Sequence, residues 1–284
     1  MQLISYSQNN KDILLWRALK HVEKGFYIDV GANHPVEDSV TKLFYENGWS
    51  GINIEPVPEK LEELKKDRPR DINLGSLVGT RTGIVNFYEI PEDTRLSTTD
   101  EDTAKSHAAE FGYTVKVHKR TFERLADICR DNKAQKIHFL KIDVEGCEGE
   151  VIASIDFDYV KPWIIVVEST LPCSDESADI SWESALKNAG YEFVFFDGLS
   201  RYYVANQETR LQKAFAYPAG IHDSFITKKV HDINSLNQSL ELKNKILDSK
   251  VSDMSTSLSW KVTKPLRTLH NLALKVQRKP YFKE

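Results

Sequence analysis

The stretch Phe26-Tyr27-Ile28-Asp29-Val30-Gly31-Ala32-Asn33 decides how the rest of the chain is read. Five residues dominated by aromatic and branched side chains, with no polar alternation, predict a strand covered on both faces. A glycine then lets the chain turn tightly. Downstream, 37–48 (EDSVTKLFYENG) reads as a helix closing at Gly48, 51–56 (GINIEP) as a second strand, and 58–67 (PEKLEELKKD) as a helix started by Pro58. A third strand and a hairpin are expected over 72–79 (INLGSLVG) and 83–90 (GIVNFYEI), then a polar stretch from Pro91 to Tyr113. There follow a helix over 121–129 (TFERLADIC), a strand over 137–143 (IHFLKID), a helix over 147–154 (CEGEVIAS) and a strand over 162–170 (PWIIVVEST). The series closes with a helix around 181–190 and an antiparallel hairpin, YEFVFFDG and RYYVA, across Gly198. Strand, helix, strand order of this kind predicts an α/β fold: a mostly parallel sheet covered on both faces, ending in an antiparallel hairpin.

Composition agrees with an ordinary soluble protein. The chain has 284 residues, 40% of them hydrophobic and 28% charged, too apolar for disorder and too polar for an integral membrane protein. The longest purely apolar run, 163–167, is far short of the roughly 20 residues of a membrane-spanning helix. The first twenty residues lack the apolar run of a signal peptide. Cys129, Cys147 and Cys173 form no C-x-x-C pair, so neither a disulfide framework nor a zinc site is indicated, which suits a reducing cytoplasm. Charge is uneven. Residues 228–284 carry 12 basic and 5 acidic side chains, a balance of +7, and leave −11 for residues 1–227. That asymmetry divides the chain into an acidic body, 1–227, and a basic helical tail, 228–284.

In an open parallel sheet, ligands bind beyond the carboxyl ends of the strands at the topological switch point. Gly31 ends the first strand, with Asp29 beside it, and the second ends in Glu55, where a carboxylate can accept both hydroxyls of a ribose. A pyrophosphate dinucleotide would want G-x-G-x-x-G at a helix N-terminus. Here one glycine and an acid stand instead, a pattern that suits the cationic ammonium or sulfonium of S-adenosylmethionine and makes an NAD(P)-dependent oxidoreductase a distant reading. Asp29 as a loop cap and Glu55 as a solvated strand end remain the plain structural alternatives.

FYIDVGAN, GINIEP, GIVNFYEI, the LSTTD turn at 96–100, IHFLKIDVEGCE and WIIVVEST together resemble the FkbM family of S-adenosylmethionine-dependent methyltransferases, from about Phe26 to about Val204. The resemblance implies a three-layer, Rossmann-like class I methyltransferase fold with a seven-stranded sheet, with Asp29, Gly31, Asn33 and Glu55 carried over as cofactor contacts. It also implies an O-methyltransferase acting on a sugar of a glycan, glycolipid or natural product. The phrase SLSWKVTKPLR in the tail is similar to segments of bacterial polysaccharide-assembly enzymes, which suggests polysaccharide biosynthesis. His34 and Cys147 depart from the family's pattern.

A sugar hydroxyl stays protonated at neutral pH, so its methylation calls for a general base or a Lewis-acid metal. Lys141 and Asp143 lie two apart at the end of the fourth strand and share a face. Asp143 is the first candidate, as base or as ligand to a divalent cation. With Glu145 and Glu168 it forms an oxygen-rich set consistent with Mg²⁺. Two of the three have a plainer role available: Asp143 orienting the cofactor, Glu145 capping the following helix. His34 is a further candidate base because an unperturbed imidazole titrates near neutrality. Asn73 and Ser76 are candidates for the adenine, and Ser97, Thr98 and Thr99 for a lid over the acceptor.

In the tail, Leu236, Leu240, Leu247, Val251, Met254 and Leu258 fall near a 3.5-residue seam that Lys243 interrupts. An oligomerising coiled coil and docking on the body are both open. Val262, Leu266, Leu269, Ala273 and Val276 share a second face, ringed by Lys261, Lys264, Arg267, Lys275 and Arg278, with Pro265 in the first turn or at a kink. Such a helix can rest on an anionic membrane, placing the protein in the cytoplasm or at the membrane's inner face, or it can pack on a glycan-assembly partner. Nucleic acid is not expected as a partner, since the body is acidic. Two functional classes remain: a sugar O-methyltransferase, and a non-catalytic recruiting module in a glycan-assembly complex that keeps the fold while the tail does the work.

Overall fold

The structure, a computed structural model, describes residues 2–169 and 180–277. Thr170, Cys173 and Arg278 lie outside the described residues, as do the side chains of Ala273, Lys275 and Val276. The chain divides into two compact units, Met1–Thr227 and Lys228–Glu284.

In the first unit the order is β1 (Leu3–Ser5), α1 (Lys11–Leu19), β2 (Phe26–Val30), α2 (Lys42–Glu46), β3 (Ser50–Ile54), α3 (Pro58–Asp67), β4 (Ile72–Leu74), β5 (Leu77–Val78), β6 (Gly83–Glu89), α4 (Glu101–Phe111), β7 (Lys116–Glu123) and α5 (Leu125–Asp131). It continues with β8 (Phe139–Ile142), α6 (Glu148–Ala153), β9 (Ile164–Glu168), α7 (Glu183–Asn188), β10 (Tyr191–Phe196), β11 (Ser200–Ala205) and β12 (Phe225–Thr227). Seven strands form the main sheet in the order β10-β11-β9-β8-β2-β3-β4. The pairs among β4, β3, β2, β8 and β9 are parallel, and β11 runs antiparallel to both β9 and β10.

Strand alternation sorts the core into two layers. Ile28, Val30, Leu140, Ile142, Ile165 and Val167 pack against Leu125, Ile128, Val151, Ile152 and Leu186 of α5, α6 and α7. Tyr27, Phe139, Ile164 and Val166 face the other way, onto Leu14, Leu15, Leu19 and Phe44 of α1 and α2. The expected three-layer α/β architecture, mostly parallel with an antiparallel hairpin, is present.

Three local expectations are corrected. The helix expected over 37–48 occupies only Lys42–Glu46, because Asp38 takes a left-handed φ of 56° and the Ser39 hydroxyl accepts from Lys42 N at 3.2 Å. The 72–79 and 83–90 segments form no hairpin with one another. β4 joins the main sheet, while β6 pairs antiparallel with β7 in a separate three-stranded sheet, β5-β7-β6, so Thr121–Glu123 are strand and α5 begins at Leu125. The polar stretch from Pro91 contains α4, whose first turn is capped by the Asp100 carboxylate accepting from Thr103 N at 2.7 Å. That excursion from the sheet forms one wall of the site described below.

The first unit closes on itself. β1 pairs in parallel with β12, Leu3 opposite Phe225. Arg17 of α1 donates to Ala214 O at 2.7 Å and Tyr217 O at 2.9 Å and pairs with Asp223 at 2.6 Å. The second unit comprises α8 (Lys228–Thr256), α9 (Leu258–Val262) and α10 (Lys264–Gln277), with Pro265 inside the first turn of α10. No helix among the described residues is long and apolar enough to cross a membrane.

Candidate active site

The carboxyl ends of β2, β3, β8 and β9 open into a cavity of about 1480 Å³. Its floor is the glycine turn. Gly31 takes φ +77°, and a Cβ there would meet the Asp143 carbonyl oxygen at 1.8 Å, so β8 passes too close for any side chain. Gly31 N and Ala32 N both donate to Ile54 O, at 3.0 and 3.1 Å, tying the turn to β3. Asn33 follows with φ 49°, and its N–H donates to Glu55 Oε2 at 2.7 Å; Glu55 Oε1 accepts from Val57 N at 2.8 Å. Glu55 is thus a buried carboxylate aimed by two backbone donors onto the cavity wall, its remaining lone pairs available to hydroxyls. Burial raises its pKa, and those two N–H groups limit the rise.

Behind the turn stands a buried ammonium. Lys141 Nζ donates to Gly31 O at 2.6 Å and pairs with Asp29 at 3.2 Å and Asp143 at 3.3 Å. The pairing follows from register, since Asp29 and Lys141 are direct neighbours on β2 and β8 and Asp143 lies two residues further on the same face. Burial disfavours the lysine's charge, but Asp143 and Asp29 overcome this and raise its pKa. Asp29 is 1% exposed, also accepts from Thr41 Oγ1 at 3.1 Å, and is absent from the cavity wall. It therefore sits beneath the turn, where its partners are Lys141 and Thr41.

Asp143, Glu145 and Glu168 converge, with one oxygen of each within 4.8 Å of the others. Burial alone would raise Asp143, but the Lys141 ammonium and a hydrogen bond with Glu168 outweigh it and hold the carboxyl well below its usual range. Glu168 moves the opposite way. Burial, then the hydrogen bond to Asp143 and that residue's charge, push it far above the ordinary carboxylate range. The two behave as a pair sharing one proton.

The remaining candidates divide. His34 lines the cavity, but Nδ1 accepts from Val36 N at 3.0 Å and Glu37 N at 2.8 Å, leaving the proton on Nε2, 3.8 Å from Glu63. With its lone pair so engaged, His34 pins a turn and is poorly arranged as a base. Ser76 lines the cavity and donates to Glu123. Asn73 does not reach the wall; its side chain is held by Arg68 O, Asp71 O and Asn53. Ser97, Thr98 and Thr99 are on the wall, fixed to β6 by the reciprocal bonds of Tyr88 and Thr98 at 2.8 and 3.0 Å. Glu145 (φ 52°) shapes the turn after β8, while the carboxylate holding that turn is Glu148, accepting from Val144 N at 3.2 Å and Gly146 N at 3.1 Å. Sequence reasoning missed Glu148. It also missed Lys11, buried on α1 yet on the cavity wall, where its charge acts on both Asp143 and Glu168. No motif announces a lysine brought in from the first helix.

A glycine that a Cβ would clash with, a carboxylate on the next strand end, and a parallel sheet with one antiparallel strand near its edge define a class I methyltransferase architecture. S-adenosylmethionine fits these residues: the Gly31 turn lines the cavity floor, and Glu55, held by two backbone donors, keeps lone pairs for hydroxyls such as those of a ribose. The sequence profile of the methyltransferase FkbM domain matches residues 29–193, and the chain belongs to that family of S-adenosylmethionine-dependent methyltransferases. No match was found among curated proteins. Among solved structures the chain is similar to a TehB-like SAM-dependent methyltransferase from Corynebacterium glutamicum, at 10% identity over 69% of this chain and 87% of that one, TM-score 0.37. It is also similar to precorrin-6y C5,15-methyltransferase from Geobacter metallireducens, at 11% identity over 71% of this chain and 89% of that one, TM-score 0.34.

Proposed function

We propose that the chain is an O-methyltransferase whose acceptor is a sugar hydroxyl of a glycan, glycolipid or related polysaccharide intermediate. The observation that supports this reading is the chemistry of the cavity wall. Nine carboxylates and the hydroxyls of Ser97, Thr98, Thr99 and Thr103 stand against four lysine and arginine side chains. Such a wall accepts hydrogen bonds from a neutral polyol and repels an acceptor that presents phosphate. At about 1480 Å³ the cavity also exceeds the roughly 300–1,000 Å³ of a single small-ligand site, leaving space for an acceptor beside the cofactor.

The bound cofactor supplies an electrophilic methyl group on sulfur. The protein's own part is alignment, which can supply roughly 7–11 kcal/mol of such a barrier, and removal of the hydroxyl proton. Glu168 is the member of the carboxylate pair with high proton affinity, which a general base needs. Asp143, kept ionised by Lys141, positions it. Positive charge entering the cavity favours release of the shared proton, so the base is freed when the donor site fills.

A divalent cation at Asp143, Glu145 and Glu168 fits poorly. Their oxygens suit Mg²⁺, but Lys141 already holds a positive charge 3.3 Å from Asp143, where it would repel the cation. No step is assigned to a metal.

The test is calorimetric titration with S-adenosylmethionine for the parent and Glu55→Ala, followed by labelled-methyl transfer onto glycan and glycolipid fractions with and without a chelator. Micromolar binding lost in the variant, with chelator-insensitive label recovered as a sugar methyl ether, supports the reading. Binding without transfer favours the recruiting module, and a folded parent that does not bind refutes the assignment.

A further inference from the structure

α8 runs unbroken from Lys228 to Thr256, and at about 1.5 Å per residue its 29 residues span about 43 Å. Placed in heptads from Val230, its a positions are Val230, Asn237, Asn244 and Val251, and its d positions are Ile233, Leu240, Leu247 and Met254. The apolar members are all exposed, from 43% at Val230 to 62% at Val251. This frame moves Leu236 and Lys243 off the seam to g positions; the true interruptions are the two asparagines. Branched residues at a with leucine at d favour two strands, and asparagine at a favours two strands in one register, at a cost in stability.

The flanking charges select the orientation. The acids Glu241 and Asp248 occupy e, and the bases Lys243 and Lys250 occupy g. In a parallel pair each g residue meets the e′ residue five positions on, so Lys243 of one chain faces Asp248 of the other, twice by symmetry. An antiparallel pair sets e against e′ and g against g′, acid on acid and base on base.

We infer that Lys228–Thr256 pairs with the same segment of a second copy as a parallel two-stranded coiled coil. Both catalytic units are then joined to the same end of the pair, since Lys228 directly follows Thr227. The proposal does not depend on the methyl acceptor and stands or falls separately from it.

The test uses the full chain, its mass measured by light scattering and sedimentation over a concentration series. The parent should weigh twice 32.5 kDa, and Leu240→Asp with Leu247→Asp, both surface positions, should give monomer with unchanged S-adenosylmethionine binding. Lys243→Glu should weaken dimerisation roughly 3- to 10-fold, and adding Asp248→Lys should restore it. Asn237→Val with Asn244→Val should raise the unfolding temperature of the tail and admit species larger than a dimer. A monomeric or trimeric parent overturns the inference, as does a dimer that survives the paired aspartates. Tighter association in Lys243→Glu overturns the parallel orientation.

Discussion

Replacing Lys141 by methionine removes a buried charge while keeping much of its volume, and should be the most damaging single change behind the site. The ammonium bridges the buried Asp29, Asp143, whose side chain is 28% exposed, and the carbonyl of Gly31. Taking one partner from a buried ion pair costs about 3–5 kcal/mol. Because Asp143 keeps some water, the lower end applies, about 3 kcal/mol, or a fall of roughly 6–12 °C in melting temperature for a unit of this size. The penalty is pH-dependent. In the parent, Asp143 has a depressed pKa, so its contribution is present above the unfolded value and is lost as pH falls through the folded one. Without the ammonium, burial is opposed by the Glu168 hydrogen bond and the Lys11 charge but no longer by Lys141, so that carboxyl moves upward and lowering the pH from 7 toward 5 shrinks the penalty. Urea unfolding followed by tryptophan fluorescence at both pH values measures this. Asp29→Asn in the Lys141→Met background should recover about 1 kcal/mol or more relative to additivity. A loss below about 1 kcal/mol at pH 7, or strict additivity, would refute the view that this triad holds the turn.

Gly31→Ala should abolish measurable S-adenosylmethionine binding by calorimetry, because the methyl would enter the Asp143 carbonyl and the left-handed backbone adds about 1–2 kcal/mol of strain. Glu168→Gln should lower kcat by roughly 10²–10⁴, and should remove from the pH–rate profile the ionisation that Glu168, with its raised pKa, otherwise contributes. Asp12, fully buried, is pushed up to about 6 by burial despite donors from Tyr6, Ser5 and Ser7. The folded chain then holds a proton the unfolded chain has released, so this contribution is full below the unfolded value near 3.8 and is lost as pH rises through about 6. Asp12→Asn should flatten that part of the stability–pH curve, with an amplitude of about 3 kcal/mol at most, in urea titrations from pH 4 to 7.

The strands of the main sheet were legible because burial on both faces leaves near-continuous apolar runs, as in FYIDV and IIVVE. β7 was not. Seven of its eight residues, KVHKRTFE, are exposed or partly so, and only Phe122 is buried, so it carries no alternation to read. α4 buries only Ala104, yet Asp100 and Gly112 bracket it with an N-cap and a left-handed C-cap, a signal present in the sequence. At the site, Gly31 and Glu55 could be placed from strand ends alone. The partnership of Asp29 with Lys141 could not, because it depends on which strands are neighbours and in what register. His34 could not be judged from sequence for a related reason: a residue type suggests chemistry, while its hydrogen bonds decide whether the lone pair is available.

The clasp at the chain's two ends sets an order in time. β1 has β12 as its strand neighbour, more than two hundred residues later, and Arg17 of α1 is held by carbonyls and a carboxylate between Ala214 and Asp223. During synthesis α1 can settle early on the central strands, where Leu14, Leu15 and Leu19 pack with Tyr27 and Phe139, but the clasp that ties β1 and Arg17 down closes only when the last part of the unit has left the ribosome. β12 ends at Thr227, directly before α8, so the clasp closes only as the segment that would bind its twin is being made.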